Sequence, residues 1–386
     1  MDCQSAEGLA LLDHVIADAA ADLRARRRDD GHWVFPLEAD ATISAEYILL
    51  LHFLGWREPE TEAALADYIR GLQGRHGGWP LFHEGELNVS ASVKAYYALK
   101  LVGDPVEAPH MIRARDAILA AGGAARSNVF TLYTLALFEQ VPWRAVPTMP
   151  VELMLMPRWF PVNIWALSYW SRTVVVPLLI IAAHKPRARN PQHVDIRELF
   201  VRPPEAERHY LRNPTGTWQG ATFLHLDRVL KAVEPWFPAP TRRRAIEKGM
   251  AFIRPRLNGE HGLGGIFPAM VNSVIAFDAL GYPPDHPDRA AAMASVRGLL
   301  VDDDEGRRFC QPCWSPIWDT ALTMHALAEA EDEVDPAATA WLRERQVLEH
   351  AGDWAVQRPD VRPGGWPFEY ENPDYPDVDD TAAIGM

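Results

Sequence analysis

The chain has 386 residues, 48% of them hydrophobic and 23% charged, so it is long enough for two domains and has the composition of a globular protein. Its net charge of −14 argues against nucleic-acid binding, which relies on clustered Lys and Arg. Cys3, Cys310 and Cys313 are too few for a disulfide scaffold and suit a reducing cytoplasm. The 14 tryptophans stand out, because large aromatic side chains fill a core or line a cavity that must hold a cation.

The sequence up to Arg28 predicts an amphipathic helix rather than a signal peptide, because it lacks an early basic region and an uninterrupted apolar core. After it, one pattern recurs: a Gly/Trp turn and a short polar stretch precede an apolar helix that closes with glycine or a similar stop. The helices of the first two copies start 48 residues apart, at Ala41 and Val89. The five copies contain Gly31-His32-Trp33, Gln73–Trp79, Gly262–Gly265, Trp318-Asp319-Thr320 and Gly364-Gly365-Trp366.

Repeats of this length, with apolar residues at helical spacing, predict an all-α fold of paired helices. The periodicity is compatible with an open solenoid and with a closed αα-barrel. The most apolar run, Val174–Ala183, has about half the length that spans a bilayer and contains Pro177, which predicts a buried helix. The acidic run Asp302–Glu305 predicts a solvated turn rather than a metal site. Cys310 and Cys313 lack further ligands at zinc-site spacing, which favours structural thiols.

Near the C-terminus, Pro376 precedes Asp377-Val378-Asp379-Asp380 and an apolar run, which predicts a helix start. Taken alone, the cluster has an ordinary explanation, since Asp377 caps the helix and carboxylates favour its positive end. In an apolar site, however, three adjacent carboxyls cannot all ionise cheaply, so one should stay protonated and protonate an alkene or epoxide. Mg²⁺ binding is a further alternative, although no basic diphosphate-binding run accompanies the cluster.

Four blocks of the sequence resemble those of squalene–hopene cyclases, in the same order and over essentially the whole chain. They are GHW…ATISAEYILLLHFLG, the Gln73-x-x-x-Gly77-x-Trp79 repeat, SPIWDTALTMHAL and PGGWPFEYENPDYPDVDDTA. The segment DVDDTA is similar to squalene-type class II cyclases, whereas oxidosqualene cyclases carry a related motif with cysteine. Two repeats depart from the family pattern, because Arg27 stands where Gln is expected and Gly264 stands where Trp is expected.

The resemblance implies two αα-barrels (toroids) with Gln-Trp-type turns around a central apolar cavity. Residues 1–28 would form an N-terminal helix that belongs to the DVDD-bearing barrel. Residues 29–315 would form the first αα-barrel, near complete, and residues 316–386 would begin the DVDD-bearing barrel. Because family members continue well beyond this motif, we expect the chain to be an N-terminal portion whose second barrel is truncated.

The activity that the resemblance implies is protonation of a terminal alkene of squalene and polycyclisation to hopene or hopanol, with no metal and no organic cofactor. Carried over by motif, Asp379 is the proton donor, and Asp377 and Asp380 hold and tune it. Four further residues are carried over as substrate-binding: Trp318 and Phe368 line the cavity, Trp170 lies where cyclisation finishes, and Glu46 contacts the pocket or its water network. As alternatives, Trp318 and Trp170 could be plain core residues, and Glu46 could be a capping or salt-bridging carboxylate.

The implied partners are squalene or a similar polyprenoid and one leaflet of a membrane, with no nucleic acid. The implied location is the cytoplasmic side of the bacterial inner membrane, and a homodimer is a further expectation. Three other functions stay open. They are a non-catalytic αα-toroid that binds a lipid or a protein, a class II cyclase that acts on a shorter polyprenoid, and a relative of prenyltransferase β-subunits, which would need zinc ligands.

Overall fold

The computed structural model describes residues 6–213, 216–331 and 335–386. Within these ranges the chain forms fourteen α-helices, several short 3₁₀ turns and one two-stranded hairpin. The helices are α1 Ala6–Ala25, α2 Ala41–Leu54, α3 Pro59–Gly71, α4 Val89–Val102, α5 Pro109–Ala120, α6 Val129–Leu137, α7 Tyr169–His184, α8 Trp218–Val233, α9 Ala239–Ile253, α10 Phe267–Ala279, α11 Pro287–Arg297, α12 Pro316–Glu331, α13 Pro336–Glu344 and α14 Val378–Gly385. The all-α prediction is confirmed.

The chain divides into two compact units. The first combines the residues up to 37 with residues 313–386, and the second comprises residues 38–312. The boundaries carried over from the resemblance, 1–28, 29–315 and 316–386, remain a prediction. In the first unit α1 packs against α12, and α12 packs against α13 and α14. The first unit is therefore built from two stretches of chain that are far apart in the sequence.

The second unit is an αα-barrel. Its inner helices α2, α4, α6, α7 and α10 line a common pocket, and α2 packs against both α4 and α10. Outside them lie α3, α5, α9 and α11, each packed against an inner helix. Most side chains of α2 and α4 are buried, as expected for helices apolar on nearly all sides, whereas α3 buries only one face. Gly55 and Gly103 follow α2 and α4 in the left-handed conformation, as the sequence predicts.

Three Gly-x-Trp or Gly-Gly-Trp turns share one set of hydrogen bonds. The indole N–H groups of Trp33, Trp79 and Trp366 donate to carbonyl oxygens in the last turn of the preceding helix, those of Leu23, Ile69 and Leu342, at 2.6, 2.7 and 2.6 Å. Their backbone N–H groups donate to a hydroxyl near the start of another helix, on Thr320, Ser92 and Thr381, at 3.0, 2.8 and 3.0 Å. Each turn thus ties two helices together and satisfies both donors of its tryptophan.

The copy with Gly264 in place of tryptophan packs differently. Gly264 has φ +64°, and a Cβ atom there would lie 2.6 Å from the Thr173 hydroxyl of α7. Glycine therefore allows α7 to approach the turn closely, where a side chain would clash. At Arg27, the residue that replaces the expected glutamine, the guanidinium forms an ion pair with Asp335.

The acidic run lies in a hairpin that the all-α prediction did not include. Strands β1 Leu300–Asp302 and β2 Arg308–Cys310 are antiparallel, and the acidic residues start the turn between them. Asp302 pairs with Arg308 at 2.7 Å and Asp303 with Arg307 at 2.7 Å. The acidic run therefore forms a turn, as predicted, and its first two aspartates are paired with arginines.

No helix in the described ranges is long and apolar enough to cross a membrane. The run Val174–Ala183 lies within α7, whose side chains are largely buried in the barrel, as predicted. Pro177 lies inside this helix without ending it.

A buried ionic group joins α2 to α3. The Glu62 carboxylate is fully buried and accepts hydrogen bonds from Arg57 Nε at 3.0 Å and from the Glu58 backbone N–H at 2.8 Å. His52 Nε2 lies 3.1 Å from the same carboxylate. Burial alone would raise the pKa of Glu62, but these hydrogen bonds outweigh burial and lower it. The carboxylate is therefore ionised and holds the two helices together.

We predict that Glu62→Gln lowers the free energy of unfolding by about 3 kcal/mol at pH 7, because it removes one partner from a buried ion pair. Glu60→Gln, at an exposed position of the same helix, should change it by less than about 0.5 kcal/mol. Because the folded-state pKa of Glu62 is lowered, its contribution is present above the unfolded pKa and is lost as the pH falls through the folded pKa. Urea unfolding at pH 7 and pH 3 measures both effects. Equal losses for the two variants would contradict the assignment.

Candidate active site

The acidic segment opens α14. Asp377 has extended backbone angles and caps the helix, since its Oδ1 accepts the backbone N–H of Asp379 at 2.9 Å. Asp379 and Asp380 follow in the first turn, where carboxylates favour the positive end of the helix. The predicted helix start and the capping role of Asp377 are both confirmed.

The Gly-Gly-Trp turn positions this helix start. The backbone N–H of Asp377 donates to the Trp366 carbonyl at 2.7 Å, and Thr381 Oγ1 donates to the Asp377 carbonyl at 2.6 Å. The same hydroxyl accepts the Trp366 backbone N–H. A Cβ atom on Gly365 would lie 2.5 Å from Thr381 Oγ1, so glycine permits this contact. The turn and the acidic segment are thus one hydrogen-bonded structure.

The three aspartates differ sharply in exposure. Asp379 is exposed and Asp377 is half-buried, whereas Asp380 is only 2% exposed. Burial, followed by the neighbouring carboxylates of Asp377 and Asp379, raises the pKa of Asp380 to about 7. Its Oδ1 has no hydrogen-bond partner among the described residues. One carboxyl of the cluster therefore keeps its proton near neutral pH. The donor role of Asp379 remains a prediction.

Glu369 is a second buried acid, although nothing in the sequence distinguishes it from its exposed neighbour Glu371. It is 2% exposed, and Oε1 accepts a 3.5 Å hydrogen bond from the buried amide of Asn372. Burial raises the pKa of Glu369 to about 8, and the carboxylates of Asp380 and Asp377 contribute in the same direction.

Helix α12 supplies further groups to the first unit. Trp318, in its first turn, is half-buried, and Phe368 is half-buried in the loop before α14. The neighbouring Asp319 accepts the Phe35 backbone N–H at 2.9 Å, and burial raises its pKa. His325 Nε2 lies 2.6 Å from the Ala383 carbonyl and so links α12 to α14. The contribution of Trp318 and Phe368 to substrate binding remains a prediction.

The Gly-His-Trp turn forms a polar cluster that the sequence did not indicate. His32 Nδ1 lies 2.5 Å from Asp30 Oδ1, and Nε2 lies 2.9 Å from the Tyr370 hydroxyl. The His32 ring stacks on Trp341, with 4.5 Å between ring centroids. Burial lowers the pKa of His32 more than Asp30 raises it, so the ring is neutral at pH 7. The cluster joins the first turn to the residues beside Glu369.

The barrel of the second unit encloses a pocket of about 320 Å³ along its inner helices. Its wall is largely apolar, but Glu46 and Lys94 face it and form an ion pair at 2.6 Å. Glu46 therefore lines a pocket and carries a salt bridge as well, so both explanations of it fit. The α7 residues on the wall are Val174 and Leu178. Trp170 is half-buried one turn earlier, in edge contact with Tyr169 at 5.7 Å.

The structure thus places the seven predicted residues in two groups. Asp377, Asp379 and Asp380 lie together on α14, and Trp318 and Phe368 belong to the same unit. Glu46 and Trp170 belong to the other unit.

The cysteines behave as structural thiols. Cys310 and Cys313 are buried and free, and burial raises the pKa of each, that of Cys313 to about 12. Cys3 lies outside the described residues. In the part of the chain that the structure describes, no group of three or more His, Cys, Asp or Glu has the geometry to hold a metal ion.

The chain contains an all-α barrel in one unit and a buried acid at a helix start in the other, and a known family profile matches each of these parts of the sequence. The profile of the squalene-hopene cyclase N-terminal domain matches residues 16–305, and that of the C-terminal domain matches residues 314–386. The chain belongs to the squalene–hopene cyclase family.

Three curated relatives illustrate the similarity. The chain is 52% identical to squalene–hopene cyclases of Zymomonas mobilis and of Bradyrhizobium diazoefficiens, with 97% of this chain and 58% of each relative aligned. It is 33% identical to the squalene–hopene cyclase of Alicyclobacillus acidocaldarius, over 93% of this chain and 56% of that protein. The chain therefore spans somewhat more than half the length of the relatives that it matches.

We predict that Asp380→Asn stabilises the folded chain increasingly as the pH rises. The folded-state pKa of Asp380 is raised, so its stabilising contribution is complete below the unfolded pKa and is lost as the pH rises through about 7. The gain of the variant should grow between pH 4 and 7 to the order of 4 kcal/mol and then level off. Urea unfolding across this range measures it.

Asp379→Asn provides the matched control, since Asp379 is exposed on the same helical turn. Its difference from the wild-type chain should stay below about 1 kcal/mol at every pH. A pH-independent difference for Asp380→Asn would show that this carboxyl ionises normally.

Proposed function

We propose that the protein is a squalene–hopene cyclase, which protonates a terminal alkene of squalene and guides its polycyclisation to hopene or hopanol. The observation that carries this proposal is the buried, protonated carboxyl of Asp380 in the first turn of α14, directly beside Asp379. Protonating an alkene requires a carboxyl cluster that still holds a proton near pH 7, and the burial of Asp380 keeps one in this cluster. The similarity to the squalene–hopene cyclases of Zymomonas mobilis and Bradyrhizobium diazoefficiens supports the same chemistry.

In this proposal Asp379 gives its proton to the alkene, whose π electrons form the new C–H bond and leave a tertiary cation. Asp377 holds the donor through the cap hydrogen bond to the Asp379 backbone, and Asp380 keeps a second proton beside it. The reaction ends when the last cation loses a proton, giving hopene, or captures water, giving hopanol. No metal or organic cofactor takes part in these steps.

Aromatic faces would stabilise the intermediate cations without trapping them. We assign this role to Trp318 and Phe368, whose rings are only half-buried and so retain an accessible face. Trp170 would act on the late cations. Glu46, held by Lys94 on the pocket wall, would orient substrate or water there.

The proposal is tested by incubating the purified chain in detergent with squalene and analysing the extract by gas chromatography with mass spectrometry. We expect a pentacyclic product from the wild-type chain and a loss of at least about 10²-fold in Asp379→Asn, because removing a general acid costs this much or more. Glu371→Gln, an exposed position nearby, should retain conversion.

Other outcomes assign other functions. Saturable squalene binding without any cyclised product would favour a non-catalytic toroid that binds lipid. Cyclised products from a shorter polyprenoid but not from squalene would identify the protein as a class II cyclase that acts on a shorter substrate. Stoichiometric zinc in the purified protein would favour the prenyltransferase-like function.

We further propose that the second unit attaches to one leaflet of a membrane through α8. This helix buries none of its residues and exposes an apolar stripe, with Trp218 75% exposed and Trp236, just beyond its end, 84% exposed. Leu226, Val229 and Val233 continue the stripe at helical spacing.

The polar side of α8, in contrast, faces the protein. Asp227 accepts the Thr148 backbone N–H at 2.7 Å, and Lys231 bonds both Asp227 and the Arg144 carbonyl. A helix that turns Asp227 and Lys231 towards the protein and Trp218 away from it suits a lipid surface, where the exposed Arg228 can reach the headgroups. The cytoplasmic side of a bacterial inner membrane fits the free, buried thiols of Cys310 and Cys313. A homodimer remains a prediction.

We predict that replacing Trp218 and Trp236 together by serine weakens binding to phosphatidylcholine vesicles at least about tenfold, because two large apolar side chains lose their burial in lipid. Phe82→Ser is the control, since Phe82 is 71% exposed on a loop far from α8 in the sequence. Co-sedimentation with vesicles measures the affinities. Equal affinities for the double variant and the control would rule out α8 as the attachment site.

A further inference from the structure

Among the almost completely buried carboxyl groups of the first unit, two have an oxygen without a hydrogen-bond donor in the described part of the chain. They are Glu369 and Asp380, with Oε2 of the first and Oδ1 of the second unpartnered among the described residues. If such a carboxyl ionises, this oxygen loses its hydration and gains no donor in return, which costs more free energy than burying a neutral acid.

The groups around this pair make ionisation harder still. When they are ionised, Asp377 and Asp380 oppose the ionisation of Glu369, and Asp377 and Asp379 oppose the ionisation of Asp380. The other polar groups near Glu369 are neutral, namely the amide of Asn372 and the thiol of Cys313. Among the described residues that act on either carboxyl, no cation compensates the charge.

We propose that Glu369 is a fourth carboxyl of the acidic segment, a positioning residue that stores a proton beside Asp380 and restores the donor after each reaction. This role rests on the proposed cyclase function. After Asp379 has given its proton to the alkene it is a carboxylate, and a proton moves to it from the Glu369–Asp380 pair. The pair then takes one proton from water, so that charge and protons balance over the cycle.

The stored proton can be observed directly by infrared spectroscopy of the purified chain, without substrate. A protonated carboxyl has a C=O stretching band that disappears when the group ionises. We expect this band to persist at pH 7 and to decline with midpoints near 7 and 8, for Asp380 and Glu369 respectively.

Two variants and a control assign the band. Glu369→Gln should remove the component near pH 8, and Asp380→Asn should move that component to lower pH, because the repelling carboxylate is gone. Glu371→Gln, at an exposed glutamate two residues away, should leave the spectrum unchanged. If the two carboxyls do not act on each other, Asp380→Asn leaves the Glu369 component at its original pH, which would contradict a shared proton store.

A band that has vanished by pH 6, or one that Glu369→Gln leaves intact, would overturn the proposal. If Glu369→Gln does not fold, labelling the wild-type chain with ¹³C-glutamate shifts the Glu369 band and gives the same answer without a substitution. The infrared experiment needs no substrate, so a negative result there would not contradict the cyclase proposal. Likewise, the absence of hopene in the squalene assay would not change the infrared spectra.

The donor-restoring step has its own readout. In the squalene assay, Glu369→Gln should move the high-pH limit of conversion from near 8 towards 7, with the same effect absent in Glu371→Gln. An unchanged limit would exclude the storage role while leaving the buried proton itself established by the infrared band.

Discussion

The indole N–H groups of Trp33, Trp79 and Trp366 each donate to the last turn of the helix before them, and their backbone N–H groups reach a hydroxyl on another helix. Burying these residues without both partners would be costly, so a turn of this kind forms only when two helices are correctly placed. Paired helices and sharp turns follow from this requirement. At Trp366 the same hydrogen bonds also fix where Asp377 begins α14, so the geometry of the acid depends on the interaction that builds the fold.

Within α14 a single helical turn separates three carboxyls into different environments. Successive residues differ by about 100° around a helix axis, which lets Asp379 face water while Asp380 enters the interior. Asp377, before the first helical residue, is held by its capping hydrogen bond. A capping carboxylate and a buried acid are therefore not competing explanations of this segment. The cap stabilises the helix start, and the helix start determines which side chain leaves water.

The sequence predicted much of the fold because its signals are local. Turn glycines, apolar spacing and the proline before Asp377 specify helices and their ends without reference to distant residues. Burial of a particular polar side chain depends instead on what packs over it. Glu369 and Glu371 look alike in the sequence, yet one is buried and the other exposed. The outward-facing apolar stripe of α8 was missed for the same reason, since periodicity reveals that a helix is amphipathic but not which face turns towards the protein.

The bond between the Trp33 backbone and the Thr320 hydroxyl joins residues 287 positions apart. The second unit, by comparison, is a continuous stretch of chain whose helices mostly pack on near neighbours in the sequence. Contacts between distant residues form slowly, because a long loop must close before they contribute. During synthesis the barrel can therefore fold on the ribosome first. Helix α1 and its tryptophan turn can pack only after α12 has been synthesised, because α12 carries Thr320. The acidic segment belongs to this first unit and is therefore assembled later than the barrel.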